Sequence, residues 1–330
     1  MADLDALHEA LLLGDRTALG RAITLVESRR AEDRAAAAEL VERCRPRAGH
    51  ALRLGITGIP GAGKSTLIDA LGLWLIGQGH RVAVLAVDPS SARSGGSILG
   101  DKTRMERLAQ RPEAFIRPTA AGGTLGGVAQ RTREAIVLCE AAGYDRIVVE
   151  TVGIGQNELE VDRMTDLNLL LLIAGAGDEL QGIKRGIMES ADAIAFTKCE
   201  GEARDRAEAA RRELRGAIQL LPPRPSGRRP EALLTSALTG AGIAELGARL
   251  EALHAQDLAS GLVDERRREQ ALHWMEQSID LGLQEAFRAD PRVAQALPAL
   301  REAVRRGERS PVDAAAALLA LFRTGGAPLP

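Results

Sequence analysis

The pattern of apolar and polar positions changes twice along the chain and divides it into three parts. Residues 1–48 are rich in Ala, Leu, Arg and Glu, and their apolar positions recur three and four apart, which predicts helices. Residues 49–255 alternate short apolar runs with helical stretches. Residues 256–330 return to a helical pattern, with helix starts predicted at Asp290-Pro291 and Ser310-Pro311. We therefore predict a helical N-terminal extension, a central domain and a helical C-terminal arm.

The apolar runs of the central part have the length of β-strands. Alternation of such runs with helices is typical of a mostly parallel sheet with helices on both faces, so the predicted fold class is α/β. The predicted strands are Leu52–Thr57, Val82–Val87, Arg146–Glu150, Asn168–Ala174, Ala193–Thr197 and Ala232–Thr235.

The strongest motif follows the first predicted strand. Gly58-Ile59-Pro60-Gly61-Ala62-Gly63-Lys64-Ser65 matches G-x-x-x-x-G-K-[ST] and precedes a helix that is predicted to start near Lys64. In such a P-loop, backbone N–H groups and the helix N-terminus bind phosphate oxygens. We expect Lys64 at the β- and γ-phosphates, the Ser65 hydroxyl on Mg²⁺ and Thr66 at the α-phosphate. The motif predicts a P-loop NTPase whose phosphate contacts are Gly61, Ala62, Gly63, Lys64, Ser65 and Thr66.

Acidic residues that can complete a magnesium site follow two of the predicted strands. Glu150 stands where P-loop proteins carry a metal-binding acid, usually Asp, and it precedes Thr151-Val152-Gly153. Its longer side chain favours contact through water, or activation of water, over direct ligation. Asp88 follows a strand, and Asp101 lies in the Gly-rich stretch beyond it. Both are predicted Mg²⁺ ligands, and the alternative for each is a turn or helix-capping aspartate.

Two later segments bear on which base is bound. GTPases usually bind guanine with an N-K-x-D segment, and the corresponding residues here are Thr197-Lys198-Cys199-Glu200. Lys198 can lie over the base, and Glu200 keeps a carboxylate one methylene longer than that of Asp. The loop Thr235-Ser236-Ala237 resembles a Ser-Ala loop whose backbone N–H contacts guanine O6. We predict base contacts from Thr197, Lys198, Glu200, Ser236 and Ala237, with a guanine preference that the altered segment weakens.

Composition argues against several other classes. Lys and Arg total 43 against 45 Asp and Glu, and aromatic residues are 2% of the chain, which is unlike a nucleic-acid-binding protein. No apolar run reaches the ~20 residues that span a bilayer, and no signal-peptide pattern is present near the N-terminus. The three cysteines are far apart, without a C-x-x-C pair. We expect a cytoplasmic protein with reduced thiols and no membrane partner.

Long stretches around these motifs resemble one family, the MeaB/ArgK-type G-protein chaperones of adenosylcobalamin-dependent acyl-CoA mutases. The resemblance extends from about Leu12 to Leu321, and its main segments are Gly58–Thr66, Ala86–Met105, Glu150–Gln156 and Gly175–Lys184. It implies a SIMIBI-type G domain, Mg²⁺ and GTP or GDP as ligands, and a homodimer formed through the C-terminal arm. The implied function is GTP hydrolysis that gates loading of adenosylcobalamin from a cob(I)alamin adenosyltransferase and protects methylmalonyl-CoA mutase or a related mutase. Adenosylcobalamin would bind the partner.

Hydrolysis is expected to be slow until a partner acts. Ile154 occupies the position at which Ras-like proteins carry a water-orienting Gln. We hypothesise that Gln156, Asp178 or Lys184 becomes catalytic in the complex, together with Lys64 and Glu150. The alternatives are an ATP-using protein kinase or ATPase linked to amino-acid transport, a nickel-enzyme maturation GTPase, and a scaffold that does not hydrolyse nucleotide.

Overall fold

The fold is known from a computed structural model that describes residues 2–28, 30–87, 105–119, 125–151, 158–173, 185–224 and 226–323. The chain forms two compact units, Met1–Gln270 and Ala271–Pro330.

Helices precede the first strand, in agreement with the pattern of residues 1–48. They are α1 Ala2–Leu12, α2 Arg16–Glu27 and α3 Ala31–Cys44, and a 3-10 turn follows at Arg45–Arg47. The Asp15 side chain accepts hydrogen bonds from the first N–H groups of α2, as an N-cap residue does. Glu27 at the end of α2 accepts a hydrogen bond of 2.6 Å from Arg117, which fixes this helix to the strand that contains Arg117.

A seven-stranded parallel sheet forms the centre of the first unit, which confirms the predicted fold class. Its strands are β1 Leu52–Gly58, β2 Val82–Val87, β3 Ala114–Thr119, β4 Arg146–Thr151, β5 Leu167–Ile173, β6 Ala193–Thr197 and β7 Glu231–Leu234. Their order is β3-β2-β4-β1-β5-β6-β7, and every neighbouring pair is parallel.

Six of these strands were predicted within one or two residues, but β3 was missed. It is the edge strand beside β2 and contains Arg117 and Pro118, which interrupt the apolar pattern. Proline is tolerated at a sheet edge because the N–H that it lacks has no neighbouring strand to bind.

Helices cover both faces of the sheet. They are α4 Lys64–Gly77, α5 Glu106–Ala109, α6 Leu125–Ala141, α7 Glu158–Asp162, α8 Arg185–Ser190, α9 Ala203–Gln219 and α10 Ile243–Ala259. The next helix, α11 Leu262–Ala289, begins in the first unit and continues into the second. Alternate residues of β5 point to opposite faces, so Leu169 and Leu171 pack with α4 and α10, while Leu170 and Leu172 pack with α8 and α9. The nearly continuous apolar sequence of β5 is therefore explained by burial on both sides.

The buried Asp192, the partly exposed Asp162 and two arginines form an arginine–aspartate cluster at the amino ends of the strands. Arg224 donates to both carboxylate oxygens of Asp192, at 3.0 and 3.1 Å, and also contacts Asp162 at 3.3 Å. Arg266, in the first turns of α11, donates to Asp162 at 2.6 Å. The cluster thus joins the ends of α7 and α8 to the start of α11.

The second unit contains the rest of α11 and two further helices, α12 Pro291–Arg305 and α13 Pro311–Arg323. Both starts confirm the predictions at Asp290-Pro291 and Ser310-Pro311, and the Asp290 carboxylate caps α12. Phe287 and Phe322 meet edge to face at 5.5 Å between ring centroids. Among the helices that the structure describes, none has both the length and the apolar character needed to cross a bilayer.

Candidate nucleotide-binding site

The P-loop lies at the carboxyl end of β1 and leads directly into α4. Gly61 and Gly63 have φ angles of 81° and 78°, a left-handed conformation that a residue with a side chain rarely adopts. Because α4 begins at Lys64, its first N–H groups and its dipole favour an anion beside this loop. The loop therefore has the backbone conformation that a phosphate cradle needs.

The Lys64 side chain is folded against the P-loop. It is 9% exposed, and its Nζ donates to the carbonyl oxygens of Gly58 at 2.7 Å and Ile59 at 3.1 Å. These bonds fix the ammonium group within the loop, where phosphate oxygens would be strong, charge-assisted acceptors. The motif's prediction that Lys64 binds phosphate stays a prediction, and the structure shows its ammonium group held within the loop.

Ser65 and Glu150 meet at the first turn of α4. The Ser65 hydroxyl donates to Glu150 Oε1 at 3.2 Å, and Glu150 is 4% exposed. The contact arises because β4 pairs with β1 and sets Glu150 opposite Ile56, two residues before the P-loop begins. A hydroxyl and a carboxylate are hard oxygen donors of the kind that Mg²⁺ prefers. The two residues fit a magnesium ion at this position.

Thr197, at the end of β6, faces the P-loop. Its hydroxyl donates to the carbonyl oxygen of Ala62 at 2.7 Å and also lies 3.2 Å from that of Leu172. A hydroxyl has one proton, so the shorter contact to Ala62 is its main hydrogen bond. Thr197 therefore holds the P-loop to β6, whereas the sequence suggested only a base contact.

Lys198 and Glu200 follow on the same segment. Lys198 has a left-handed backbone with φ of 58°, and its Cε atom would be the nearest neighbour, at 3.8 Å, of a side chain at Gly63. The Lys198 stem thus lies beside the P-loop, as expected of a lysine that covers a base. Glu200 Oε2 is buried, and the described residues supply it with no hydrogen-bond partner.

Cys199 fixes the base segment to β7. Its N–H donates to the Thr235 carbonyl at 3.1 Å, and its thiol lies 3.2 Å from the Phe196 carbonyl. Burial raises the pKa of the Cys199 thiol. The residue behaves as a packed, protonated thiol that helps to hold Lys198 and Glu200 in place.

The predicted Ser-Ala loop follows β7. Ser236 is fully buried, donates its N–H to the Ala241 carbonyl at 2.9 Å and accepts at Oγ from the Thr239 N–H at 3.2 Å. Its side chain therefore shapes the loop, and the half-buried Ala237 comes next in the chain. Thr66 is exposed in the first turn of α4, where a nucleotide could reach it.

Asp69, which the sequence analysis gave no role, lies one turn beyond Ser65 on α4. It is 6% exposed, and its two carboxylate oxygens accept hydrogen bonds from the Leu108 N–H at 2.8 Å and from Arg107 at 2.9 Å. The sequence feature that could have indicated Asp69 is its spacing of four from Ser65, because residues four apart lie on the same face of a helix.

Five predicted site residues lie outside the described part of the chain. They are the proposed magnesium ligands Asp88 and Asp101 and the proposed catalytic residues Gln156, Asp178 and Lys184. Of the predicted site, the structure therefore brings together the P-loop, Glu150, the base segment and the loop at Ser236.

Comparisons with known proteins identify the family of the chain. The family described as "Methylmalonyl Co-A mutase-associated GTPase MeaB" matches residues 19–292. A Mycobacterium tuberculosis protein named "Probable GTPase Rv1496" is 51% identical over 96% of this chain and 94% of that protein. The mouse protein named "Methylmalonic aciduria type A homolog, mitochondrial" is 44% identical, over 97% of this chain and 80% of that protein.

A solved structure shares the architecture over nearly the whole length. The crystal structure of a protein named "LAO/AO transport system kinase" superposes with a TM-score of 0.75 and 36% sequence identity, covering 98% of each chain. The family match covers most of the chain. The chain therefore belongs to the MeaB family of methylmalonyl-CoA mutase-associated GTPases and is a GTP-hydrolysing enzyme.

Proposed function

We propose that this protein is a GTP-driven chaperone of an adenosylcobalamin-dependent acyl-CoA mutase. The family description links its members to methylmalonyl-CoA mutase, and the mouse relative is named after methylmalonic aciduria. Methylmalonyl-CoA mutase or a related mutase is the proposed partner. Adenosylcobalamin would be bound by the mutase, and a cob(I)alamin adenosyltransferase would supply it.

The observation that carries the choice of nucleotide is Glu200, whose carboxylate oxygen Oε2 is buried and has no partner among the described residues. A buried polar atom without a hydrogen bond is costly, so a ligand that supplies donors there gains affinity. Guanine offers two donors on one edge, its ring N–H and its exocyclic amine. Adenine offers an acceptor nitrogen in place of that ring N–H. Glu200 therefore favours GTP over ATP.

The phosphates would be held by groups that are already in place. Lys64 would bind the β- and γ-phosphates, and the N–H groups of the P-loop would bind their remaining oxygens. Ser65 and Glu150 would hold Mg²⁺, together with the predicted ligands Asp88 and Asp101. Mg²⁺ neutralises charge on the phosphate oxygens when it is bound.

The proposal uses hydrolysis as a switch. Slow turnover in the free protein follows from Ile154 at the position of the water-orienting Gln. The mutase would then bring Gln156, Asp178 or Lys184 to the attacking water. An ATP-using kinase linked to amino-acid transport is the competing function, and the solved relative is named a transport system kinase. The Glu200 carboxylate favours the GTPase.

The decisive experiment measures steady-state hydrolysis of GTP and of ATP by the purified protein, with and without an adenosylcobalamin-dependent methylmalonyl-CoA mutase. We expect slow GTP hydrolysis that the mutase accelerates, and no ATP hydrolysis. Equal rates with both nucleotides would contradict the guanine preference. If neither methylmalonyl-CoA mutase nor a related acyl-CoA mutase changes the rate of GTP hydrolysis, the proposed chaperone function is wrong.

A matched Glu200→Gln variant isolates the carboxylate when the equilibrium binding of GTP and of ATP is measured. It keeps the size of the side chain but loses the charge, and hydrogen bonds to charged groups are stronger by about 1–1.5 kcal/mol each. We expect GTP to bind at least about tenfold more weakly to this variant, with ATP binding unchanged. If the binding of GTP and the binding of ATP weaken equally, Glu200 acts on the fold of the segment Thr197–Glu200 and not on guanine.

The proposal also includes a homodimer. In the second unit, α11 carries four apolar side chains that are each more than half exposed and recur at spacings of three and four: Leu272, Met275, Ile279 and Leu283. Such a stripe on one helix face needs a partner, and a second copy of the chain supplies a matching one.

Sedimentation equilibrium tests the dimer. We expect twice the 35.0 kDa of one chain for the wild-type protein and a single-chain mass for Met275→Glu combined with Ile279→Glu. Leu220→Glu is the control, because Leu220 is 84% exposed at the end of α9, away from the stripe in sequence. A wild-type protein of single-chain mass would contradict the proposal.

A further inference from the structure

A buried hydrogen bond joins the P-loop to β6, the strand that leads into the base segment Thr197–Glu200. The Thr197 hydroxyl donates to the Ala62 carbonyl oxygen at 2.7 Å, and both residues are buried. The Ala62 N–H donates to the Ile59 carbonyl at 3.1 Å, which is a contact within the loop. Thr197 therefore holds, from another strand, a residue whose own N–H is bound inside the P-loop.

The direction of the Ala62 carbonyl sets the direction of the next N–H group. A trans peptide unit is planar, so its C=O and N–H bonds point in opposite directions. The N–H in the same peptide unit as the Ala62 carbonyl belongs to Gly63, the residue before α4. Gly63 has φ of 78° and is one of the predicted phosphate contacts. A hydroxyl on β6 thus orients an N–H group of the proposed phosphate cradle.

The base segment contacts the same turn of the P-loop through its next residue. Lys198 has φ of 58°, and its Cε atom would be the nearest neighbour of a side chain at Gly63. Hydrogen bonds flank Lys198 on both sides, from the Thr197 hydroxyl and from the Cys199 N–H, which donates to the Thr235 carbonyl at 3.1 Å. The base segment and this turn of the P-loop are therefore packed together, and the Thr197 hydroxyl supplies a polar contact between them.

We infer that Thr197 is a positioning residue for the phosphate groups of the nucleotide and not a base contact. Its hydroxyl holds the Ala62–Gly63 peptide unit, so that the Gly63 N–H has its direction before a nucleotide arrives. A donor that is already oriented needs no ordering on binding, and its hydrogen bond to a charged phosphate oxygen is a strong one. This inference rests on the proposed binding of a nucleoside triphosphate at the P-loop.

Equilibrium dissociation constants of GTP and ITP test the inference. ITP has the same phosphates as GTP but lacks the exocyclic amine, one of the two donors that Glu200 is proposed to accept. Thr197→Val keeps the shape of the side chain and removes the hydroxyl, which leaves the buried Ala62 carbonyl without this donor. We expect it to weaken GTP and ITP by the same factor, about tenfold. Thr197→Ser keeps the hydroxyl and should bind both nucleotides as the wild type does.

A second measurement follows the phosphates directly. In ³¹P NMR spectra at saturating GDP, the β-phosphate resonance should move in Thr197→Val and return to the wild-type position in Thr197→Ser. Thr132→Val is the matched control, because it also removes a buried threonine hydroxyl, one that donates to the Val128 carbonyl within α6 at 3.0 Å. This control should leave the dissociation constants and the phosphate resonance unchanged.

The outcomes are distinct. If Thr197→Val weakens GTP more than ITP, Thr197 contacts the base and the inference is wrong. It is also wrong if Thr197→Val lowers the melting temperature but leaves the dissociation constants unchanged, since the hydrogen bond then only stabilises the fold. Equal binding of GTP and ATP by the wild type would overturn the proposed guanine preference alone, because the effect of Thr197→Val can be measured with either nucleotide. A wild-type protein that binds neither would refute the proposed function and the inference together.

Discussion

Lys64→Ala is expected to lower the rate of GTP hydrolysis by about 10²–10³-fold, the usual cost of removing one preorganised donor that faces developing charge. The physical reason is the fixed position of the ammonium group, which two P-loop carbonyls hold within the loop. A single-turnover measurement at saturating GTP separates this effect from weaker binding. In the same variant, thermal unfolding should show that the fold is retained.

Lys198→Ala is the comparison variant for Lys64→Ala. That change removes a side chain that lies beside the P-loop at Gly63 and is proposed to cover the base. It should weaken GTP binding and leave the single-turnover rate of bound nucleotide close to that of the wild type. Hydrolysis by Lys64→Ala at the wild-type rate would contradict the role of Lys64.

Asp192→Ala is expected to have the largest effect on stability, about 3 kcal/mol of the free energy of unfolding, because it leaves the buried Arg224 charge with only its longer, 3.3 Å contact to Asp162. Arg224 donates to both oxygens of Asp192, and the two side chains are 9% and 5% exposed. Asp192 also accepts the Asn168 N–H at 2.9 Å, a bond that the substitution removes as well. Urea denaturation followed by circular dichroism measures the loss.

The matched control for this prediction is Arg204→Ala. Arg204 pairs with Glu208 at 3.6 Å, but both side chains are exposed, and such pairs contribute about 0–1 kcal/mol. The urea midpoint of the control should stay near that of the wild type. If both variants unfold at the same urea concentration, the arginine–aspartate cluster does not stabilise the first unit.

The sequence predicted the central strands and the P-loop because these features depend on residues that are close together in the chain. An apolar run such as β5, or the eight-residue phosphate motif, carries its own signal. β3 escaped notice because an edge strand tolerates Arg117 and Pro118, which break that signal. The fold class could therefore be predicted from the sequence, but the edge strand of the sheet could not.

Contacts between distant residues could not be predicted in the same way. Thr197 bonds to the carbonyl of Ala62, which is 135 positions away, and no local pattern marks this pairing. Asp69 and Leu108 are likewise joined only once α4 and α5 pack together. The proposed phosphate and base residues could thus be chosen from motifs, but the contacts that hold them together were visible only in the folded chain.

The order of strands in the sheet has a consequence for how the chain is made. β1 pairs with β4 and β5 and not with β2, and Leu52 lies opposite Arg146. During synthesis, β1 and β2 therefore emerge well before the strand that separates them in the sheet. Until β4 follows, β1 has no native partner and β2 can pair only with β3 on its other edge, and pairing over such sequence distances is slow. A newly made chain of this protein passes through a stage at which its most buried strands are open to aggregation.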